Sequence, residues 1–235
     1  MKFNKAFTLA EILIVMAVIG VIGALTIPNL SKEFGEEETV TRVKIAYNDI
    51  ELAYQKAINK YGPYDTWNSS VSTDERASRI FEFIKGNNLG AGDCLAGIGD
   101  QVCIYGISKE LDNGSIIAMS PQGEGTGADA SNRFFVYPFG YNGFKPGTDI
   151  FEFITIDNFQ SIVPRGYGTD RDANGKLNLK GSNSSTESKE PNIIHEVDES
   201  TEYLYNATNW VVHIGNLDYN KCEDALNWET KTTCD

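Results

Sequence analysis

Two kinds of hydrophobic pattern divide the chain. The run Ile12 to Ile27 (ILIVMAVIGVIGALTI) is apolar on every side and carries no charge. Extended back to Phe7 it reaches 21 residues, interrupted only by Glu11. A helix of that length, at about 1.5 Å per residue, spans roughly 30 Å, the hydrocarbon thickness of a bilayer. Beyond Pro28 the pattern becomes one-sided. Val43, Tyr47, Ile50, Tyr54, Ile58 and Tyr61 recur at spacings of three and four, and Ala46, Ala53 and Ala57 widen the stripe. Arg42, Lys44, Asn48, Asp49, Glu51, Gln55 and Lys56 take the other faces, and Gly62-Pro63 supplies a stop. The pattern predicts one long helix, with Gly35 the place where it would break. Its first half is all-apolar and its second half packs on a globular head.

After the helix the period shortens. Ser72 to Glu75 (STDE) has the form of a capping box before Ile80, Phe81 and Ile84, which predicts a helix over 73–85. Strands are expected at Val102–Ile107 and Ser115–Met119, flanking an Asp112-Asn113-Gly114 turn. Further β-rich runs are Arg133–Tyr137, Asp149–Ile156 and Trp210–Ile214. Short strands after one long helix point to an α+β fold, with an antiparallel sheet against the helix. Pro121–Asn132 and Gly181–Glu190 read as polar loops. The first is Gly-rich but lacks the Lys-Ser/Thr of a phosphate-binding loop. The second is a polar segment in which glycans are not excluded.

Charge orients the chain. Lys2 and Lys5 precede the apolar run, and Glu33, Glu36, Glu37 and Glu38 follow it. The lysine asymmetry places the N-terminus in the cytoplasm and the body outside. A secretory signal would need a small-x-small site after its apolar stretch, and Thr26-Ile27-Pro28-Asn29-Leu30 is a poor one. No cysteine lies nearby for a lipid anchor. A carboxylate inside an apolar span costs about 2.5–3.5 kcal/mol at its centre and less near an end. Glu11 sits near the helix N-terminus, where the dipole favours it. It reads either as an interfacial capping residue or as an acid that meets a cation supplied by another subunit.

The segment AFTLAEILIVMAVIGVIGALTIPNL resembles the N-terminal signature of type IV prepilins and pseudopilins. The resemblance covers about 25 residues, and it is specific because leader, phenylalanine, glutamate and apolar run must fall in register. It implies a cytoplasmic leader, residues 1–6, cleaved between Ala6 and Phe7, with N-methylation of Phe7. The family usually has glycine where Ala6 stands. The resemblance makes Glu11 the fifth mature residue, which in assembly would neutralise the Phe7 amine of a neighbouring subunit. Gly20, Gly23 and Pro28 would loosen the helix as subunits pack, since glycine costs about 1 kcal/mol and interior proline about 3 in a helix. Close helix packing at the glycines and a kink at Pro28 are the alternative. The implied organisation is a membrane and filament-core helix over 7–28, an amphipathic continuation over 29–62 and a pilin-like head over 63–235. The implied partners are copies of this or related subunits, a prepilin peptidase and an inner-membrane assembly platform. The precursor would cross the cytoplasmic membrane once and then join an extracytoplasmic filament, in the periplasm or at the cell surface.

Composition narrows what such a body can do. Apolar residues make up 41% and charged residues 23%, enough apolar material for a packed head. The net charge is −13, so unaided nucleic-acid binding is not expected. Loss of Lys2 and Lys5 with the leader would deepen it. His195 and His213 are the only histidines, which excludes a multi-histidine metal centre. Four cysteines, Cys94, Cys103, Cys222 and Cys234, allow three disulfide pairings in an oxidising compartment. Local pairs Cys94–Cys103 and Cys222–Cys234 would each contribute about 2–4 kcal/mol. The second of these resembles the disulfide-bounded C-terminal loop of many type IV pilins. Zinc is disfavoured, because the spacings are wider than such sites use.

One further stretch has ligand-like spacing. Asp170, Asp172, Asn174, Lys176 and Asn178, with Gly175 in sixth place, match the start of an EF-hand loop. The twelfth position is Gly181 where glutamate is needed, and these residues also form an Asp/Asn/Gly turn unaided. Calcium is therefore carried as a candidate, with no cofactor required. No catalytic triad, carboxylate pair or nucleotide loop stands out. The expected function is a structural filament subunit, and the alternative is a membrane-anchored extracytoplasmic enzyme or binding protein with an uncleaved helix.

Overall fold

The computed structural model describes residues 9–63, 66, 73–89, 107–120, 133–141, 145, 147–156, 161–168, 172–179 and 206–234, with backbone alone at 23–34, 73–74, 120 and 156. The chain divides into two units, Met1–Glu38 and Thr39–Asp235. Helix α1 runs over Leu9–Tyr61 and contributes to both. It continues through Gly35, so the break considered there does not occur. A single interior glycine costs about 1 kcal/mol, which a helix of 53 residues can carry. Gly62 ends the helix at φ +90°, donating its N–H to Ile58 O at 2.9 Å.

Among the described residues of the second unit, six strands form one antiparallel meander. They are β1 (Asn87–Leu89), β2 (Ile107–Glu110), β3 (Ile116–Ser120), β4 (Arg133–Tyr137), β5 (Phe151–Ile156) and β6 (Ser161–Pro164), hydrogen-bonded in that order. The architecture is α+β, a long N-terminal helix with an antiparallel sheet. Helix α2 (Thr73–Phe81), helices α3 (Ala207–His213) and α4 (Tyr219–Cys222) and a short 3-10 turn over Glu223–Ala225 complete the described elements.

Strand alternation sorts the side chains. Ile117, Met119, Phe134, Val136, Phe151, Phe153 and Ile162 face the main core together with Val43, Ala46, Ile50, Ala53, Tyr54 and Ala57 of α1. The register pairs Ile117 with Val136, Phe134 with Phe153 and Val136 with Phe151, so one face is apolar across the strands. Tyr47 stacks on Phe153 at 4.9 Å and donates its hydroxyl to Ile162 O at 3.1 Å. Burial, then Glu51 and Tyr167, hold that phenol above its ordinary pKa. The opposite face carries a smaller cluster of Ile116, Ala118, Phe135, Tyr137 and Ile150.

Arg42 joins helix to sheet. Its guanidinium donates to Asn113 O and, at 2.9 Å, to Pro138 O, and it lies 4.8 Å from the Phe139 ring centroid. It thus holds the β2–β3 turn and the end of β4 to one turn of α1.

Three expectations are corrected here. The first hairpin strand runs on to Glu110, past its expected end at Ile107; residues 102–106 of the expected strand lie outside the described residues. Leu111 N donates to Ser115 O at 2.8 Å and closes the turn around Gly114 (φ +80°), so pairing must run up to Glu110. The second helix ends at Phe81, before the expected residue 85, and its capping residue Ser72 lies outside the described residues. The run Trp210–Ile214, β-rich by composition, is helical through His213 in α3, with Ile214 as its C-cap. Its N-terminal turn is tied down by Asn209 N to Arg165 O at 3.1 Å and by Thr208 Oγ1, which accepts from Glu152 N at 3.1 Å. Packing of Trp210 and Val211 into the core overrides β-propensity. The short strands β1 and β6 were not foreseen.

Candidate functional site

The N-terminal part of α1 carries the chemistry expected of an assembly or membrane segment. Leu9 is 81% exposed, and Leu13, Ile14, Met16, Ile19 and Val21 are each more than 60% exposed. Apolar residues on every side of a helix have no single core to face. Such a surface is stable only when lipid or other protein covers it. Glu11 lies in the first turn of this helix, where the dipole stabilises a carboxylate. Gly20 lies inside the helix with open space where a side chain would project. The helix also continues through Gly23 and Pro28, of which only backbone is described. Ala6 and Phe7 lie outside the described residues.

Among the described residues no helix is long and apolar enough to cross a membrane. The span expected over 7–28 begins before those residues, and its last part is described by backbone alone.

Residues 1–27 match the family model for the prokaryotic N-terminal methylation motif. The chain carries the type IV prepilin and pseudopilin signature. No curated protein and no solved structure matches the chain. The match covers Ala6, Phe7, Glu11 and most of the exposed apolar helix surface, and does not extend into the second unit.

The head's other candidate sites lie close together at the C-terminus. Cys222 and Cys234 form a disulfide, with Cα atoms 5.8 Å apart. Cys94 and Cys103 lie outside the described residues. The closed loop is tied inward, because Asn216 accepts from Trp210 Nε1 at 2.8 Å and donates to Thr232 O at 2.7 Å. Cys234 N donates to Asp218 Oδ2 at 3.1 Å.

The calcium candidate lies against this loop. Asp170 is outside the described residues. Asp172 Oδ1 accepts from Asn174 N at 2.8 Å and from Lys176 N at 2.9 Å, and Gly175 adopts φ +75°. Those bonds are the interior of an Asx turn. The turn is docked by Trp228 N to Gly175 O at 2.7 Å, Asn227 Nδ2 to Asn174 O at 3.0 Å and Leu177 N to Leu226 O at 3.1 Å. The Lys176 ammonium lies 3.6 Å from Asp224, so it faces an acid of the loop. Asn178 is half-buried beside the core residues Leu177 and Leu179. Among the described residues, no three His, Cys, Asp or Glu side chains converge as a metal site requires.

Two features escaped sequence reasoning. Arg42, placed by its spacing off the apolar stripe of the helix, reaches Asn113 O in the β2–β3 turn and Pro138 O after β4. Glu152 was read as part of a strand and turned out to be buried with two arginines, Arg133 and Arg165. The available signal was the alternation FEFITI, in which Glu152 falls on the same face as the apolar Ile150.

Proposed function

We propose that this chain is a structural subunit of a type IV pilus or related pseudopilus. It polymerises through its N-terminal apolar helix after a leader is cut before Phe7 and the new amine is methylated. The observation that carries this reading is the coincidence of the methylation motif with an exposed apolar helix surface around Glu11. A surface of that kind needs a partner, and a second copy offers both an equivalent helix and a cationic N-terminus.

In this reading residues 7–28 cross the cytoplasmic membrane before assembly, with residues 1–6 inside. The six-stranded head is pilin-like and extracytoplasmic. A prepilin peptidase and an inner-membrane assembly platform are its processing and assembly partners. Mass spectrometry of the N-terminal peptide from the native host is expected to show a methylated Phe7 as the first residue. An intact Met1, or a start near Ala24, would overturn the reading.

No cofactor is needed for this role. Millimolar calcium is therefore expected to leave the melting temperature of the chain unchanged in scanning fluorimetry. Asp172 already engages two backbone N–H groups, so its turn forms without an ion. A rise of several degrees would assign residues 170–178 to calcium.

A further inference from the structure

Glu152 is anomalous for its place in the sheet. Its cross-strand partner is Phe135, a member of the apolar cluster on that face, and only 2% of its side chain is exposed. Burying a carboxylate there has no stability rationale by itself, since apolar residues of similar size are often neutral or stabilising in place of a buried ion pair. Its effect on its neighbours is specific. Arg165 Nη1 and Arg133 Nε lie 3.2 and 3.4 Å from the same oxygen, Oε1. One hidden carboxylate thereby offsets the repulsion between two guanidinium groups and holds them side by side.

The exposures run the other way. Arg165 is 37% exposed at the side chain and Arg133 21%, with the Arg133 Nε buried, so solvent meets chiefly Arg165 and not the acid behind it. Arg165 is also fixed through its backbone. Its N–H donates to Glu152 O at 2.9 Å, and its carbonyl accepts from Asn209 N at 3.1 Å. Gly166 follows at φ +92°, and a Cβ there would lie 2.3 Å from Asn206 O. The turn is therefore restricted to glycine and holds its arginine in one place. A guanidinium has five donors in a planar fork, and Arg165 directs one nitrogen at Glu152. Such a pre-set fork binds a carboxylate with little ordering cost.

We propose that Arg165, braced by Glu152 and Arg133, is the docking point for a carboxylate of a second copy of this chain. This rests on the filament reading above. The choice of occupant follows from charge. With 33 acidic and 20 basic residues, copies of this chain repel one another, and each presents exposed acids such as Glu51, Asp112 and Glu229. A braced arginine on an acidic body turns one of those acids from a repulsive group into a register-setting contact.

The test uses the full-length chain assembled in its native host. R165E is expected to lower filament yield about tenfold, the loss of one such contact. R165K should keep most of the yield, and R165Q filaments should come apart at lower salt than wild type. The melting temperature of each detergent-solubilised variant separates assembly from folding. If R165E melts early, the comparison falls to R165Q. Equal yields and equal salt resistance for wild type, R165E and R165Q would overturn the proposal. So would saturable stabilisation of the wild-type monomer by sulfate, lost in R165Q, with filament yield unaffected, which would reassign the arginine to a free oxyanion. A wild type that starts at Phe7 but makes no filament would overturn the second-copy occupant along with polymerisation, whereas normal wild-type filaments with insensitive variants would remove this contact alone.

Discussion

Replacing Glu11 by alanine is expected to abolish filaments while leaving the head folded. In the assembly proposed above, Glu11 and the amine of the neighbour's Phe7 meet in a low-dielectric core. Removing one partner of a buried pair leaves the other charge uncompensated, at a cost of about 3–5 kcal/mol. Each 1.4 kcal/mol is a factor of ten, so association would weaken by roughly two to three and a half orders of magnitude. The head has no share in this loss. Glu11 belongs to the unit Met1–Glu38, and the main core is built from Val40 onward. Electron microscopy of the native host should therefore show no filaments, while circular dichroism and melting of the purified variant match wild type. Filaments in normal amount would remove the pairing from the account.

Replacing Trp210 by alanine is expected to be the most damaging single change to the head. Trp210 is fully buried, lies edge-on to Trp228 at 4.8 Å and donates Nε1–H to Asn216 at 2.8 Å. Truncating a buried aromatic costs about 3–5 kcal/mol through lost contacts and a residual cavity. For a chain of this size that lowers the melting temperature by roughly 10 °C. The loss should spread to the disulfide loop, because Asn216 also holds Thr232 O. Trp210→Phe should fall between the two, keeping most of the volume and losing the N–H donor. Scanning fluorimetry decides it, and a fall of a degree or less would mean that α3 is not anchored by this residue.

The elements legible in advance were those with a long or regular period. The stripe from Val43 to Tyr61 repeats often enough that one amphipathic helix was the only arrangement satisfying it. Arg133–Tyr137 alternates cleanly between two buried faces and matches β4 residue for residue. The strands β1 and β6 have three and four residues, too short for a period of two to register. Trp210–Ile214 misled because β-branched and aromatic residues suit any buried surface, and whether that surface meets a sheet or a helix is set by neighbours remote in sequence.

The N-terminal segment is a property of the sequence alone. Two lysines, a phenylalanine, an acid four residues on and an apolar run are recognised by spacing along the sequence, so no tertiary contact is needed to read them. The cysteines show the other limit. Four thiols permit three pairings by count; of the two local pairs named from the sequence, the fold closes Cys222–Cys234, with Cα atoms 5.8 Å apart, and Cys94 and Cys103 lie outside the described residues. The same holds for Arg42 and for Arg165 with Glu152, whose partners are separated along the chain and meet only when the meander closes. Local periodicity fixes which face of an element is apolar, but charge pairs across strands depend on register, and register is decided by turns and packing together.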